Sequence, residues 1–316
     1  MTSRKRLQDW ALLVLCNLIW ASQFAMVKLV QKQMGPLFAV TFPMAIATLL
    51  LIPIVRRERG TAVRRGDIWR FVWIGVAGQV VAQLFVTWGT RISLASNAAL
   101  LSLALPVCTA LMAYLILGER MTPVRWVSFA LAIAGVLACS GVDWHELDFG
   151  SARYLAGNVM ILASVNGSAF YNAYSKKLLV RYSPLQVLTY SYYAVMAFLL
   201  PITAYSEPDG FAQLPHFTLT VWIGLGILAI FQYFLSMVIF LNVLTRLDAT
   251  QAAVSNYLIP FFGVVLAAVI LGEKLTGFMI AGGVLVLAST LLVTTYEEVQ
   301  ARRRSGAKAL PDGDIS

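Results

Sequence analysis

The strongest constraint on this chain is that one stretch of it occurs twice. Residues 94–122 (LASNAALLSLALPVCTALMAYLILGERMT) and 248–276 (DATQAAVSNYLIPFFGVVLAAVILGEKLT) align without a gap, and ten of the 29 positions are identical. Ala95, Ala98, Ala99, Pro106, Ala113, Ile116, Leu117, Gly118, Glu119 and Thr122 recur as Ala249, Ala252, Ala253, Pro260, Ala267, Ile270, Leu271, Gly272, Glu273 and Thr276. Apolar helices resemble one another by composition alone, but a proline and a Gly-Glu-basic-x-Thr ending in the same register indicate an internal duplication. Upstream, Lys28, Pro36, Leu37, Thr41, Pro53 and Ile54 fall on Lys176, Pro184, Leu185, Thr189, Pro201 and Ile202 at an offset of 148 rather than 154. The second copy therefore carries a six-residue insertion, which the polar segment 206–217 (SEPDGFAQLPHF) accommodates.

A chain with 59% hydrophobic and 12% charged residues is a membrane protein, because soluble domains carry about 25% charge. The net charge of +9 would suggest nucleic acid in a soluble chain. Here the basic residues flank apolar runs, where they set orientation, and no nucleic-acid partner is expected. Cys16, Cys108 and Cys139 lie inside apolar runs and behave as small hydrophobes, so no disulfide is expected.

A spanning helix needs about 20 mainly apolar residues. Ten candidates follow, over residues 10–30, 36–55, 69–88, 94–117, 122–141, 154–175, 184–205, 218–241, 248–271 and 276–296. The basic start (Arg4, Lys5, Arg6) reads as a retained signal anchor, since no small-residue cleavage site follows. Threading the chain with a cytoplasmic amino terminus places nineteen Lys and Arg on that side and five on the other. This positive-inside bias predicts a multi-pass protein of the cell membrane with both termini cytoplasmic. Each copy holds five spans, so the second must enter from the opposite side. The expected fold is an all-α polytopic membrane protein of ten helices in two inverted five-helix repeats, residues 1–142 and 150–296, followed by a polar cytoplasmic tail, 297–316. Gly118 and Gly272 suit the left-handed residue that ends a helix, and Thr122 with Pro123 suits an N-cap and first-turn proline.

Side-chain amides and hydroxyls deep in a bilayer are costly unless they meet a partner or water. Span one offers Asn17, Trp20, Gln23 and Phe24. Its repeat counterpart, span six, offers Asn166, Ser168, Tyr171, Asn172 and Tyr174. Span three carries Gln79 and Gln83, and span eight carries Gln232, Tyr233 and Ser236. Spans four and nine carry Asn97 and Ser102 against Gln251, Asn256 and Tyr257. Singly, such groups serve as interhelical glue at about 0.6 kcal/mol each. Collectively they outline a polar cavity enclosed by spans one, three, four, six, eight and nine, and Asn17, Trp20, Gln23, Gln79, Gln83, Asn97, Tyr171, Asn172, Tyr174, Gln232, Tyr233, Gln251, Asn256 and Tyr257 are the substrate-binding candidates. Spans five and ten instead show small residues, Ala130/Ala134/Ala138 and Gly277/Ala281, which suit close packing or a homodimer seam.

Pro106 and Pro260 fall mid-span, where each removes a backbone hydrogen bond. At equivalent places in inverted copies they suit hinges, or architecture alone. Lys28 and Lys176 near the span ends either snorkel to headgroups or form a charged gate. All fifteen Asp and Glu lie in loops, tails or span ends, so carboxylate-based proton coupling would have to use Glu119, Glu273 or Asp248, and facilitated exchange or an unusual coupling residue stands beside it. An enzyme is not expected. His145 and His216 are the only histidines, both in predicted external loops, and neither HExxH, GxSxG nor a metal-spaced Cys cluster is present. No metal or organic cofactor is expected. A channel or a non-transporting membrane scaffold is the alternative class.

The chain resembles the EamA family of the drug/metabolite transporter superfamily. The likeness lies in Trp20–Lys28 (WASQFAMVK), in Pro36 opening span two, and in the two A-x2-A-A to P to L-G-E-[RK]-x-T blocks. It covers about residues 8–296. The resemblance implies ten helices in two inverted repeats, a cavity lined by the first four spans of each, and secondary transport, frequently export, of amino acids or similar metabolites. One departure is Ser168, which stands where the second repeat often has the tryptophan equivalent to Trp20. The aromatic residues near the expected cavity (Trp20, Phe24, Tyr171, Tyr174, Tyr233, Tyr257) make aromatic amino acids the first substrates to test.

Overall fold

A computed structural model describes residues 3–58, 60–105, 107–109, 112, 115, 123–139, 152–245, 256, 258–274 and 276–307. Gln251, Tyr257, Pro106 and Glu119 lie outside the described residues.

Every regular element among the described residues is helical. In chain order these are α1 (Ser3–Val30), α2 (Pro36–Arg57), α3 (Arg65–Trp73), α4 (Val81–Ile92), α5 (Ala95–Leu101), α6 (Pro123–Cys139) and α7 (Ala152–Leu179). There follow α8 (Pro184–Ser206), the short α9 (Asp209–Ala212), α10 (Leu219–Gly226), α11 (Ser236–Leu244), α12 (Leu258–Leu271) and α13 (Gly277–Ala307). A π-helical stretch, Ile74–Val80, joins α3 to α4, and a second, Ile227–Leu235, joins α10 to α11. They fall at matching places in the two sequence copies.

Among the described residues, five helical segments are long and apolar enough to cross a membrane: Gln8–Val30, Pro36–Arg57, Arg65–Ile92, Pro184–Ser206 and Leu219–Val243. α7 spans 28 residues and carries Asn158, Asn166 and Asn172 along its length. Large apolar side chains such as Leu49, Trp69, Leu219, Val269 and Phe278 face outward, as a lipid-facing surface requires.

Local chemistry sets the helix ends. Ser183 closes a capping box on α8: its hydroxyl accepts the Gln186 N–H at 3.1 Å, and the Gln186 side chain accepts the Ser183 N–H at 3.2 Å. Pro36 and Pro184 take first-turn positions, where the missing N–H has no intrahelical partner to lose. Gly272 ends α12 at φ +68°, with its N–H on the Ala268 carbonyl at 3.1 Å, the five-to-one bond of a left-handed cap, and the Glu273 N–H reaches the Ala267 carbonyl at 3.4 Å.

α2 and α8 run antiparallel and cap one another. Glu207, just past α8, accepts the N–H of Leu37 and Phe38 (3.2 and 2.8 Å) in the first turn of α2. At the other end Glu58, just past α2, accepts the hydroxyl of Ser183, the N-cap of α8, at 2.7 Å. Each carboxylate meets the positive end of a helix dipole. α4 and α7 cross closely at a glycine pair. A Cβ on Gly89 would stand 2.7 Å from the Gly157 carbonyl oxygen, so only glycine allows this approach.

α6 and α13 pack together, with Gly135 against Val286 and the Gly282 carbonyl. Ala130, Ala134, Gly277 and Ala281, the small residues that sequence pattern selects, lie on the outer surface, and Ala138 is half-buried. The internal seam uses their glycine neighbours instead.

Candidate functional site

Two packed clusters fill the interior. One gathers Phe38, Met44, Tyr171, Tyr192 and Tyr233, and the other gathers Ala21, Phe24, Val86, Ala98, Ile161 and Ile259. Trp20 packs against both. Beside it opens a cavity of about 120 Å³, room for a few waters or part of a small metabolite. Its wall comes from both halves of the chain. α1 contributes Trp20, Gln23 and Phe24, the first π stretch and α4 contribute Gln79, Gln83 and Val86, and α5 with the turn after it contributes Ala98 and Ser102. α7 contributes Ile161, Ser164, Ser168, Tyr171 and Asn172, the second π stretch and α11 contribute Gln232, Met237 and Phe240, and α12 contributes Ile259.

The polar side of the wall is a chain of amides. Gln232 Nε2 donates to Gln23 Oε1 at 2.8 Å, Gln23 Nε2 to Gln83 Oε1 at 2.6 Å, and Gln83 Nε2 to Gln79 Oε1 at 3.4 Å. Trp20 Nε1 donates to Ser236 Oγ at 3.0 Å, and that hydroxyl donates to the Gln232 carbonyl at 2.5 Å. The same lining holds an aromatic corner, with the Trp20 and Phe240 rings edge to face at 4.8 Å. None of the lining residues is charged.

Of the binding candidates read from sequence, Trp20, Gln23, Gln79, Gln83, Tyr171, Asn172 and Gln232 line this cavity, together with Phe24, Ser102 and Ser168. The remaining described candidates sit elsewhere. Asn17 is fully buried one turn before Trp20. Asn97 joins a buried polar group at the start of α5, where its Nδ2 meets Ser93 Oγ at 3.2 Å and Ser93 Oγ donates to Asn158 Oδ1 at 2.6 Å. Tyr174 stacks on Phe170 at 5.5 Å, with the Lys177 ammonium over its face. Tyr233 is buried towards α8, where its carbonyl accepts the Tyr192 hydroxyl at 2.8 Å. The Asn256 carbonyl accepts the Ile259 N–H in the turn that opens α12.

Pro260 is the third residue of α12, not a mid-helix residue. In that first turn its missing N–H costs no intrahelical bond. The turn before Pro106 is tightened to a 3₁₀ form over Ser102–Ala104, with Leu105 N–H bonded to the Ser102 carbonyl. A proline at 106 has no N–H to give that carbonyl, so the bond shifts to the residue before it.

Lys28 is half-buried and paired. Its ammonium donates to the Ser93 carbonyl at 2.6 Å and lies 3.3 Å from Glu273 Oε1. Glu273 in turn accepts the Ala95 and Ser96 N–H groups (3.1 and 3.0 Å) and the Ser96 hydroxyl (2.7 Å). Partial burial pushes the Glu273 pKa up, but the Ser96 and Ala95 hydrogen bonds and the Lys28 charge outweigh it and hold the carboxyl below its usual value. One clamp thus joins the ends of α1, α4, α5 and α12. Lys176, the repeat counterpart of Lys28, is exposed. Asn158 and the capping roles of Glu58, Glu207 and Glu273 escaped the sequence reading; a carboxylate just past a helix end was the available signal. No His, Cys, Asp or Glu group of three or more could hold a metal among the described residues.

The chain is similar to several transport proteins. It is 30% identical to a protein of Streptantibioticus cattleyicolor named a probable terminal-alkyne amino-acid exporter, covering 94% of this chain and 96% of that one. An uncharacterized transporter of Archaeoglobus fulgidus is 28% identical over 90% of this chain and 97% of its own length. A probable amino-acid metabolite efflux pump of Salmonella typhimurium is 25% identical over 89% and 93%. A solved crystal structure shares the fold at a TM-score of 0.60 and 15% identity, covering 92% of this chain and 98% of that chain. The family and the relatives carry the names of transporters, not of enzymes. The EamA-like transporter family matches the sequence over residues 10–141 and again over 155–295, and the chain belongs to that family.

Proposed function

We propose that the protein is a secondary transporter that exports a small amino acid or similar amphipathic metabolite across the cell membrane by alternating access. The observation that carries this reading is the cavity lined from both halves of the chain by amides together with aromatic and aliphatic groups. A pocket of this kind offers an amphipathic solute hydrogen bonds in the place of water and an apolar surface for its side chain. Its wall carries no charge, so a solute with net charge would meet no counter-ion in a low-dielectric site. A zwitterion supplies its own. The amino-acid exporter and efflux-pump names of two relatives point the same way.

In this reading the two repeats, 1–142 and 150–296, are inverted five-helix units, both termini and the tail 297–316 are cytoplasmic, and the antiparallel course of α2 and α8 supports the inversion. The Lys28–Glu273 clamp closes the external end of the cavity and releases when substrate leaves. The helix breaks beside Pro106 and Pro260 are the hinges. A homodimer would form through the outward small residues of α6 and α13.

The test is counterflow in reconstituted vesicles preloaded with each of a panel of amino acids and related metabolites. Saturable, trans-stimulated accumulation of at least one neutral amphipathic solute is expected. Linear, non-saturating flux would make the protein a channel, and no accumulation across a broad panel would end the transporter reading.

A further inference from the structure

The amide chain of the cavity has a direction. From Gln232 through Gln23 and Gln83 to Gln79, each link is given by an Nε2 and received by an Oε1. Such a series leaves one acceptor over at its head, and that atom is Gln232 Oε1. It has no hydrogen-bond partner, although Gln232 is only 4% exposed and stands in the cavity wall. A buried amide oxygen without a donor is costly in the interior of a membrane protein, and such groups are rarely left unmet without a use. Ser236, one turn on, cannot supply the donor, because its hydroxyl is already given to the Gln232 backbone carbonyl.

What is missing is therefore a donor, and it must come from whatever enters the cavity. The aromatic rings of Trp20 and Phe240 stand in the same wall, and ring faces favour cationic nitrogen. We propose that Gln232 Oε1 is the specificity-determining acceptor for the ammonium group of a zwitterionic amino acid. Polarisation along the chain strengthens that acceptor, since every amide behind it donates in the same sense. The assignment rests on the part of the proposed function that makes this cavity the solute-binding site.

The test compares two zwitterions that differ in N–H groups. L-phenylalanine has three ammonium donors, and its N,N,N-trimethyl betaine carries the same charges with none. Binding is read as thermal stabilisation of the detergent-purified protein, independent of any membrane flux. The wild type is expected to prefer phenylalanine by about tenfold or more, as a hydrogen bond to a charged donor implies. Gln232→Met should weaken phenylalanine by that factor and leave the betaine unchanged, so that the preference vanishes. Gln232→Glu, which keeps a carboxyl oxygen in place, should retain the preference and serves if the methionine variant fails to fold.

A phenylalanine-to-betaine ratio that is the same in Gln232→Met as in wild type overturns the proposal. So does the absence of any stabilisation of the wild type by phenylalanine. Gln232-dependent binding in a protein that gives no counterflow would sink the transport reading and leave this assignment standing. Counterflow indifferent to Gln232 would do the reverse.

Discussion

The Lys28 ammonium lies 3.3 Å from the Glu273 carboxylate, and that carboxylate also receives the first two backbone N–H groups of α5. Removing the charge should loosen the end of the cavity they share. Glu273→Gln keeps an acceptor for Ser96 but loses the ion pair, a change of about 1 kcal/mol or a fivefold shift in an open–closed equilibrium. Ala98→Cys in a background lacking Cys16, Cys108 and Cys139 reports that shift. An impermeant maleimide added on the clamp side should label it about fivefold faster in the Glu273→Gln variant. An unchanged labelling rate would show that the clamp does not gate.

The Glu273 carboxyl is held below its usual pKa, so the stabilisation it provides is complete above the ordinary carboxylate range. That contribution is lost only as pH falls through the lowered value. At neutral pH it stays ionised and does not exchange protons. Counterflow measured from about pH 6 to about pH 8 should therefore have the same pH profile in wild type and Glu273→Gln, whatever the difference in rate. A pH dependence that disappears in the variant would make Glu273 a proton carrier.

Gln23 both accepts from Gln232 and donates to Gln83. Gln23→Leu strands both partners in a buried site, so a loss of about 1–3 kcal/mol in stability is expected. Gln83→Leu should impair transport with less effect on expression. The double variant should be less destabilised than the sum of the two, by about 0.5 kcal/mol or more, since the shared bond is broken only once. Thermal unfolding in detergent measures all three, and strict additivity would dissolve the chain into independent contacts.

At the crossing of α4 and α7, a methyl group on Gly89 would meet the Gly157 carbonyl and the Ile161 side chain, each at 2.7 Å. Gly89→Ala should cost about 1–3 kcal/mol through overpacking, despite the higher helix propensity of alanine. Gly226 has nothing within 4 Å of its added Cβ, so Gly226→Ala is the neutral or stabilising control. Melting temperatures that move equally would mean the crossing is not tight.

Much of this was legible in the residues. An amide in an apolar run has few reasons to be there, so Gln23, Gln79, Gln83 and Gln232 were identifiable without coordinates, as was Gly272 as a helix end. Pairings across the fold were not. Lys28 reads as a snorkelling residue until α12 brings Glu273 beside it. Pro260 reads as mid-helix because the apolar run continues on both sides of it, whereas α12 opens only two residues earlier. The π stretches leave no trace in the pattern of residues, because their extra residue per turn changes backbone bonding without changing composition. The outward alanines of α6 are a similar case: spacing selects a face but not which neighbour that face meets.

Those two π stretches, Ile74–Val80 and Ile227–Leu235, carry a consequence for how these helices can vary. A π turn holds a surplus residue relative to an α turn, so one residue deleted there is absorbed as the turn closes to α, whereas one deleted from the flanking α segments would rotate all that follows by about 100° about its own axis. The two π stretches are thus the places along these helices where chain length can change while Gln83 and Phe240 keep facing the hollow.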